Sequence, residues 1–279
     1  MSAPQESQLP RNLLLRIAYD GTDYFGWQIQ PQRPTIQGAL TEAIREVCGE
    51  TVNVCGAGRT DAGVHAEEQA ASVKLRSPIP CPNLVRALND HLPESIRVLS
   101  AQEALLEFHA RRDARSKTYR YRIYRGAICP PGLSRTVFPF PYPLDEAAMA
   151  QAARCFEGTW DFRSFASRDA SEPPKSAVRT IFSSRLERQG EELIYTVEGS
   201  GFLYHMVRNI AGTLWMAGRH RIEPAAIREL LASDRRSAAG PTLPGRGLSL
   251  VRVSYTDPDT DPLALDMPPH PGKIEGLTD

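Results

Sequence analysis

The chain has 279 residues, with 33 Lys plus Arg balanced by 33 Asp plus Glu, so its formal net charge is zero. At 41% hydrophobic and 24% charged residues it has ordinary globular composition, which excludes a wholly disordered chain, and at ~150 residues per domain its length suits one large domain or two lobes. No run approaches the ~20 apolar residues of a bilayer span, the polar first ten residues lack the apolar stretch of a secretory signal, and five cysteines without a C-x-x-C pair suit a reducing, cytoplasmic compartment.

In chain order, residues 1–10 read as a flexible segment. Leu13 to Tyr19 reads as a first strand, followed by an aromatic, glycine-rich loop from Asp20 to Gln28. Ile36, Leu40, Ile44 and Val47, with Ala39 and Ala43, recur at helical spacing. Thr35 is placed to cap that helix and Gly49 to end it. A short strand is expected over Thr51 to Cys55, then a loop from Gly56 to Gly63, a returning strand over Gln69 to Leu75, a helix over Pro82 to His91 and an extended segment over Ile96 to Ser100. This half is thus β-α-β-β-α-β.

The second half repeats that order loosely. Thr118 to Tyr124 alternates, with Tyr119, Tyr121 and Ile123 on one face. Asp145 caps a helix that runs to Phe156. Strands are expected over Val178 to Leu186 and Leu193 to Gly199, turning near Gln189 and Gly190. A long apolar helix is expected over Phe202 to Ala217, and another opens at Glu223-Pro224. Leu248 to Tyr255 is the last strand. Phe156, Trp160, Phe162 and Phe165 read as core. Together these elements predict an α+β fold: two split β-α-β lobes of the ferredoxin or RRM type, residues 11–107 and 108–255, joined in a central, mostly antiparallel sheet flanked by helices. Residues 256–279 carry six acids, five prolines and one lysine and read as an acidic, proline-rich tail outside the core.

The zero net charge hides a strong asymmetry. Residues 111–125, RRDARSKTYRYRIYR, hold seven basic side chains against the single acid Asp113. Arginine interleaved with tyrosine on a strand suits phosphates and unpaired bases, with Tyr119 facing the core or a cleft. In the loop Gly56 to Gly63, Arg59 and Asp61 lie two apart. A guanidinium keeps a neighbouring carboxylate ionised, and an ionised Asp on a constrained loop can act as nucleophile or base; the pair can equally just pin a turn. Arg208 lies in a mostly apolar helix and needs a carboxylate or a phosphate, Asp61 being one candidate. The loop matches neither a Walker loop nor G-x-G-x-x-G, which argues against a nucleotide cofactor. None of the six histidines sits in H-E-x-x-H or a Cys/His cluster, which argues against a metal, and there is no G-x-S-x-G elbow.

These segments resemble one family in order and at its spacing. AGRTDAGVHA (Ala57 to Ala66) is similar to the catalytic loop of the tRNA pseudouridine synthase A family. YDGTDYFGWQ with TIQGALTEAI, FHARRDARSKTYRYRIY, GFLYHMVRNIAGTL and GRGLSLVRVSY resemble its other motifs. The resemblance runs from about Leu13 to Tyr255. It implies an isomerase that converts uridine to pseudouridine at positions 38, 39 and 40 of the tRNA anticodon stem-loop, without metal or cofactor, as a homodimer gripping one tRNA. It implies that Asp61 is the nucleophilic aspartate, that Tyr119 stacks on the target base, and that Arg59 and Arg208 lie near the aspartate. Whether Asp61 attacks the sugar, attacks the base or abstracts a proton stays open, as does whether Arg208 orders Asp61 or holds a phosphate. The alternative from another class is a non-catalytic RNA-binding protein on the same fold, with Asp61 only bracing a loop.

Overall fold

The structure is a computed structural model that describes residues 9–167, 176–232 and 239–255. Residues 1–8 of the expected flexible segment and the whole 256–279 tail lie outside the described residues. In chain order the elements are β1 (Arg11–Tyr19), α1 (Ile36–Cys48), β2 (Cys55–Gly56), β3 (His65–Leu75), α2 (Cys81–His91), β4 (Ile96–Ala104), β5 (Ser116–Tyr124), α3 (Pro131–Ser134), β6 (Phe138–Pro139), α4 (Glu146–Arg154), β7 (Gly158–Asp161), β8 (Val178–Gln189), β9 (Glu192–Gly199), α5 (Met206–Gly218), α6 (Pro224–Leu231) and β10 (Leu248–Ser254).

Local chemistry sets most of these boundaries. The Thr35 hydroxyl accepts from the Gly38 N–H, and Gly49 ends α1 in the left-handed region at φ 70°, which costs a glycine little. Asp145 caps α4 by accepting from the Ala148 N–H. Several boundaries differ from the sequence pattern. The strand expected over Gln69 to Leu75 begins four residues earlier at His65, the one expected over Val178 to Leu186 runs on to Gln189, and the helix expected to reach Phe156 ends at Arg154. The strand expected over Thr51 to Cys55 shortens to β2, which pairs only at Cys55 and Gly56. The helix expected from Phe202 starts at Met206, because His205 stands at φ 60° and breaks the helical path. The apolar run before it is buried without being helical: Leu203 packs under the cleft described below.

Among the described residues the strands form one mixed, mostly antiparallel sheet in the order β4-β1-β3-β10-β5-β9-β8-β7, with β2 added on β3 and β6 on β5. The parallel contacts are β10 with β3, at Ser249–His65 and Leu250–Ala66, and β6 with β5. The strand that joins the two halves of the sheet is therefore the last in sequence. On its other side β10 runs antiparallel to β5, opposing Leu250 to Tyr119. Helices flank the sheet: α1 and α2 bury Leu40, Ile44, Leu84 and Leu88, and α4, α5 and α6 bury Met149, Ile210, Leu214 and Ile227. Phe156, Phe162 and Phe165 are fully buried and pack edge to face, while Trp160 is only partly covered. At ~25 cal/mol per Å² of apolar surface removed from water, these aromatics are among the largest single contributors to the second half's core.

Candidate active site

The loop between β2 and β3 is held from several directions. The Ala57 N–H donates to the Ala70 carbonyl at 2.7 Å, the Trp27 N–H to the Thr60 carbonyl at 3.0 Å, the Val64 N–H to the Asp61 carbonyl at 3.1 Å and the Gly63 N–H to the Tyr24 carbonyl at 3.3 Å. Beneath it, the buried Gln69 amide donates to the Gly58 carbonyl at 2.8 Å, and the Tyr19 and Thr60 hydroxyls share a 2.8 Å hydrogen bond. Burial outweighs the hydrogen bonds from Thr60 and Gln69 and pushes the Tyr19 phenol up to about 12, so it stays neutral at physiological pH. Two glycines let neighbouring chain approach this loop. Gly26 stands at φ 90°, where a side chain would overlap the Thr60 carbonyl oxygen, and a Cβ on Gly56 would come within 2.5 Å of the Trp27 indole.

Asp61 projects from this loop to the first turn of α5. Its Oδ2 accepts from Arg208 Nη1 at 2.8 Å and lies 3.5 Å from His205 Nε2. Arg208 is itself oriented, since its Nε donates to the Leu243 carbonyl at 2.7 Å. The Asp61 and Arg208 side chains are 20% and 15% exposed, a partly dry setting where a charge-assisted hydrogen bond is stronger than in water. Oδ1 has no hydrogen-bond partner among the described residues. His205 is held in turn, with Nδ1 3.0 Å from the Ser167 hydroxyl and its ring stacked on Tyr204 at 3.8 Å.

Asp61, Arg208, Tyr119 and Arg59 all line one open cleft of about 1170 Å³. Tyr119 comes from β5, and its ring meets Phe202 edge to face at 5.0 Å. Burial, with smaller contributions from Tyr19 and Asp61, holds its phenol well above the ordinary range and hence neutral. Arg59 is exposed at the rim, where its Nε donates to the Gln28 side-chain oxygen at 3.2 Å. His65, which follows the loop, turns away from the cleft. It is buried with Nδ1 accepting from the Gly21 N–H at 3.2 Å, and burial lowers its pKa. The cleft thus offers an anchored carboxylate, an aromatic wall and cations, the set needed to hold a flat base and its charged backbone.

The sequence profile of a family described as tRNA pseudouridine synthase matches residues 16–113 and 152–256. The chain belongs to that family. Curated relatives agree along nearly their whole length. The tRNA pseudouridine synthase A of Solibacter usitatus (strain Ellin6076) is 50% identical over 88% of this chain and all of its own. That of Caldicellulosiruptor bescii is 45% identical over 88% and 100%. Among solved structures, the archaeal box H/ACA sRNP Nop10-Cbf5 complex matches 73% of this chain and 43% of its own at 12% identity and TM-score 0.30, too slight a likeness to bear on the argument. As a tRNA pseudouridine synthase the protein is an isomerase acting on tRNA uridine. The matched segments include Arg59, Asp61 and Arg208; Tyr119 falls between them.

The basic stretch of this tRNA pseudouridine synthase is divided by the pleat of β5. Arg120 and Arg122 leave on the face opposite Tyr119. There Arg120 pairs with Glu67 at 2.9 Å, and Arg122 pairs with both oxygens of Glu192 at 2.6 and 2.7 Å. Arg125 is taken by Glu146 and by the carbonyls of Phe140 and Tyr142. Arg111 and Lys117 line the cleft instead. Residue type alone gave no sign of His205, Phe202 and Arg179, which also line it. Phe202 and His205 lie within the resemblance motif GFLYHMVRNIAGTL, but neither was marked as a site residue there, and His205 faces Asp61 from a left-handed backbone at φ 60°. Among the described residues no helix is long and apolar enough to cross a membrane, and no three His, Cys, Asp or Glu side chains gather as a metal site.

Proposed function

We propose that this family member isomerises uridine at positions 38, 39 and 40 of the tRNA anticodon stem-loop, with Asp61 as its nucleophile. The observation that carries the reading is the Asp61 carboxylate: one oxygen is anchored by Arg208, and the other has no hydrogen-bond partner among the described residues at a cleft walled by Tyr119. Cleaving the N-glycosidic bond builds positive charge on the sugar, which a carboxylate stabilises or traps. The released uracil turns and rejoins through C5; the hydrogen on C5 leaves as a proton and N1, freed from the sugar, gains one. Substrate and product have the same composition, so the conversion needs no net oxidant or reductant. Arg208 orders the carboxylate, Tyr119 receives the base after it leaves the helical stack at a cost of a few kcal/mol, and Arg59 at the rim contacts the RNA.

In this reading the lobes 11–107 and 108–255 supply opposite walls of the cleft. The protein works in the cytoplasm as a homodimer, both subunits holding one tRNA, as the family resemblance implies. The test is tritium release from tRNA labelled at uracil C5, run with the wild type and Asp61→Ala, with tRNA binding measured in parallel. Release by the wild type, none by the variant and similar binding by both is the expected result. Binding without release by either protein would leave the non-catalytic RNA binder as the correct reading.

A further inference from the structure

We propose that Lys117, Arg179 and Arg111 form a phosphate-binding subsite that holds the RNA backbone next to the flipped nucleotide; this deepens the pseudouridine-synthase reading and rests on it. The described residues lining the cleft include six cationic side chains (Arg33, Arg59, Arg111, Lys117, Arg179 and Arg208) and one acid, Asp61. That acid is already engaged by Arg208 at 2.8 Å. Among the described residues, Arg111, Lys117 and Arg179 have no acidic partner, so an anion from outside can meet their charge.

Lys117 is the centre of the excess. It precedes Tyr119 by two residues on β5, so its side chain leaves on the same face about 7 Å along the strand, the scale of one nucleotide. It is opposed on β9 by Gly199, which offers no side chain to cover it. Its stem passes beside Gly58, where a Cβ would lie 3.7 Å from the Lys117 Cε and 3.6 Å from the Tyr119 hydroxyl. The lysine is half-buried and makes no hydrogen bond or ion pair with any described residue. Its electrostatic neighbours, Arg111 and Arg179, are cations. Burial first, and these two charges next, pull its amine down to about 8. Arg179 is also partly buried and pairs with no acid among the described residues, donating its Nη1 to the carbonyls of Ser176 and Val178. A half-buried ammonium beside two arginines is unfavourable in the free protein and is relieved by one phosphate. The arginines on the opposite face of β5 show the contrast, because each of those is already neutralised by a glutamate.

The experiment compares wild type, Lys117→Met, Lys117→Arg and Arg179→Gln for tritium release and for tRNA binding across a salt series. Release by the wild type secures the reading on which the subsite rests; silence would overturn that reading separately. Lys117→Met should weaken tRNA binding roughly tenfold and flatten the slope of log affinity against log salt by about 0.7–0.9, one phosphate contact. Its loss should fall in KM rather than kcat. Lys117→Arg should restore affinity and slope, and Arg179→Gln should reproduce the Lys117→Met pattern even if the latter folds poorly. Wild-type affinity and slope in both Lys117→Met and Arg179→Gln, or a loss confined to kcat, would overturn the subsite.

Discussion

Replacing Arg208 distinguishes a guanidinium that orders Asp61 from one that holds a phosphate. In Arg208→Met the side-chain volume is nearly kept, while the 2.8 Å bond to Asp61 and the 2.7 Å bond to the Leu243 carbonyl are both lost. A hydrogen bond to a charged group contributes ~1.5–3 kcal/mol, and unit charges about 4 Å apart at an effective dielectric near 20 attract by about 4 kcal/mol. If ~3 kcal/mol of that holds the carboxylate in its reactive position, turnover falls roughly a hundredfold at about 1.36 kcal/mol per decade. The fold should suffer less, since the 20% exposed Asp61 regains water; a stability loss of about 1 kcal/mol is expected. Arg208→Lys can satisfy Asp61 or Leu243 but not both, and should fall between wild type and Arg208→Met. The assay is single-turnover tritium release with saturating enzyme, paired with tRNA affinity and a thermal melt. A loss seen only as weaker binding, with a flatter salt dependence and normal single-turnover rate, would refute the positioning role and make Arg208 a phosphate ligand.

Other perturbations test the surroundings. Gln69→Leu removes the buried donor to the Gly58 carbonyl and should cost about 1–3 kcal/mol in denaturant unfolding, with turnover falling as the loop loosens; unchanged turnover would show that the backbone bonds suffice. Gly56→Ala places a methyl 2.5 Å from the Trp27 indole. It should lower stability by ~1–3 kcal/mol through overpacking, and a wild-type melt would show that Trp27 yields freely. Arg122→Gln breaks the pair with Glu192 on the far face and should leave the salt slope of tRNA binding unchanged; a flatter slope would put RNA on that face too. The Lys117 amine at about 8 binds phosphate only when protonated, so tRNA affinity should decline as pH rises above about 8. The Tyr119 phenol stays neutral there, and a guanidinium in place of the amine keeps its charge, so Lys117→Arg should abolish the decline. In the free protein the same lowered pKa has the folded state holding fewer protons than the unfolded chain between about 8 and the ordinary lysine value. This contribution therefore raises stability with pH across that window.

Local elements could be read in the sequence where their signals are local. The Thr35 cap, the Gly49 stop and the spacing from Ile36 to Val47 define α1 without reference to the rest of the chain. The start of α5 could not be read, because the apolar residues before Met206 serve the cleft floor rather than a helical face and only His205's backbone reveals the break. The charge of residues 111–125 was visible, but its allocation was not. Glu67, Glu192 and Glu146 come from strands and a helix far away in sequence, and pairing with them leaves Arg111 and Lys117 to the cleft. Arg59, Asp61, Tyr119 and Arg208 were singled out by type and resemblance, whereas Arg179 sits on a strand with no motif to mark it. The parallel pairing of β10 with β3 is a long-range register that no local pattern encodes.

The position of β10 has a consequence for synthesis on the ribosome. The last described strand in sequence sits between β3 and β5, so a nascent chain lacking residues 248–254 leaves an unfilled slot in mid-sheet. Two bare strand edges are then open to mispairing, and the pairing that closes the gap spans most of the chain, a high contact order that slows folding. Leu248 also lines the cleft, so the nascent protein can fold its helices early but cannot complete the cleft until this strand has emerged. Until then it remains a client for chaperones, and a ribosome stalled shortly before residue 248 should release an inactive, aggregation-prone product.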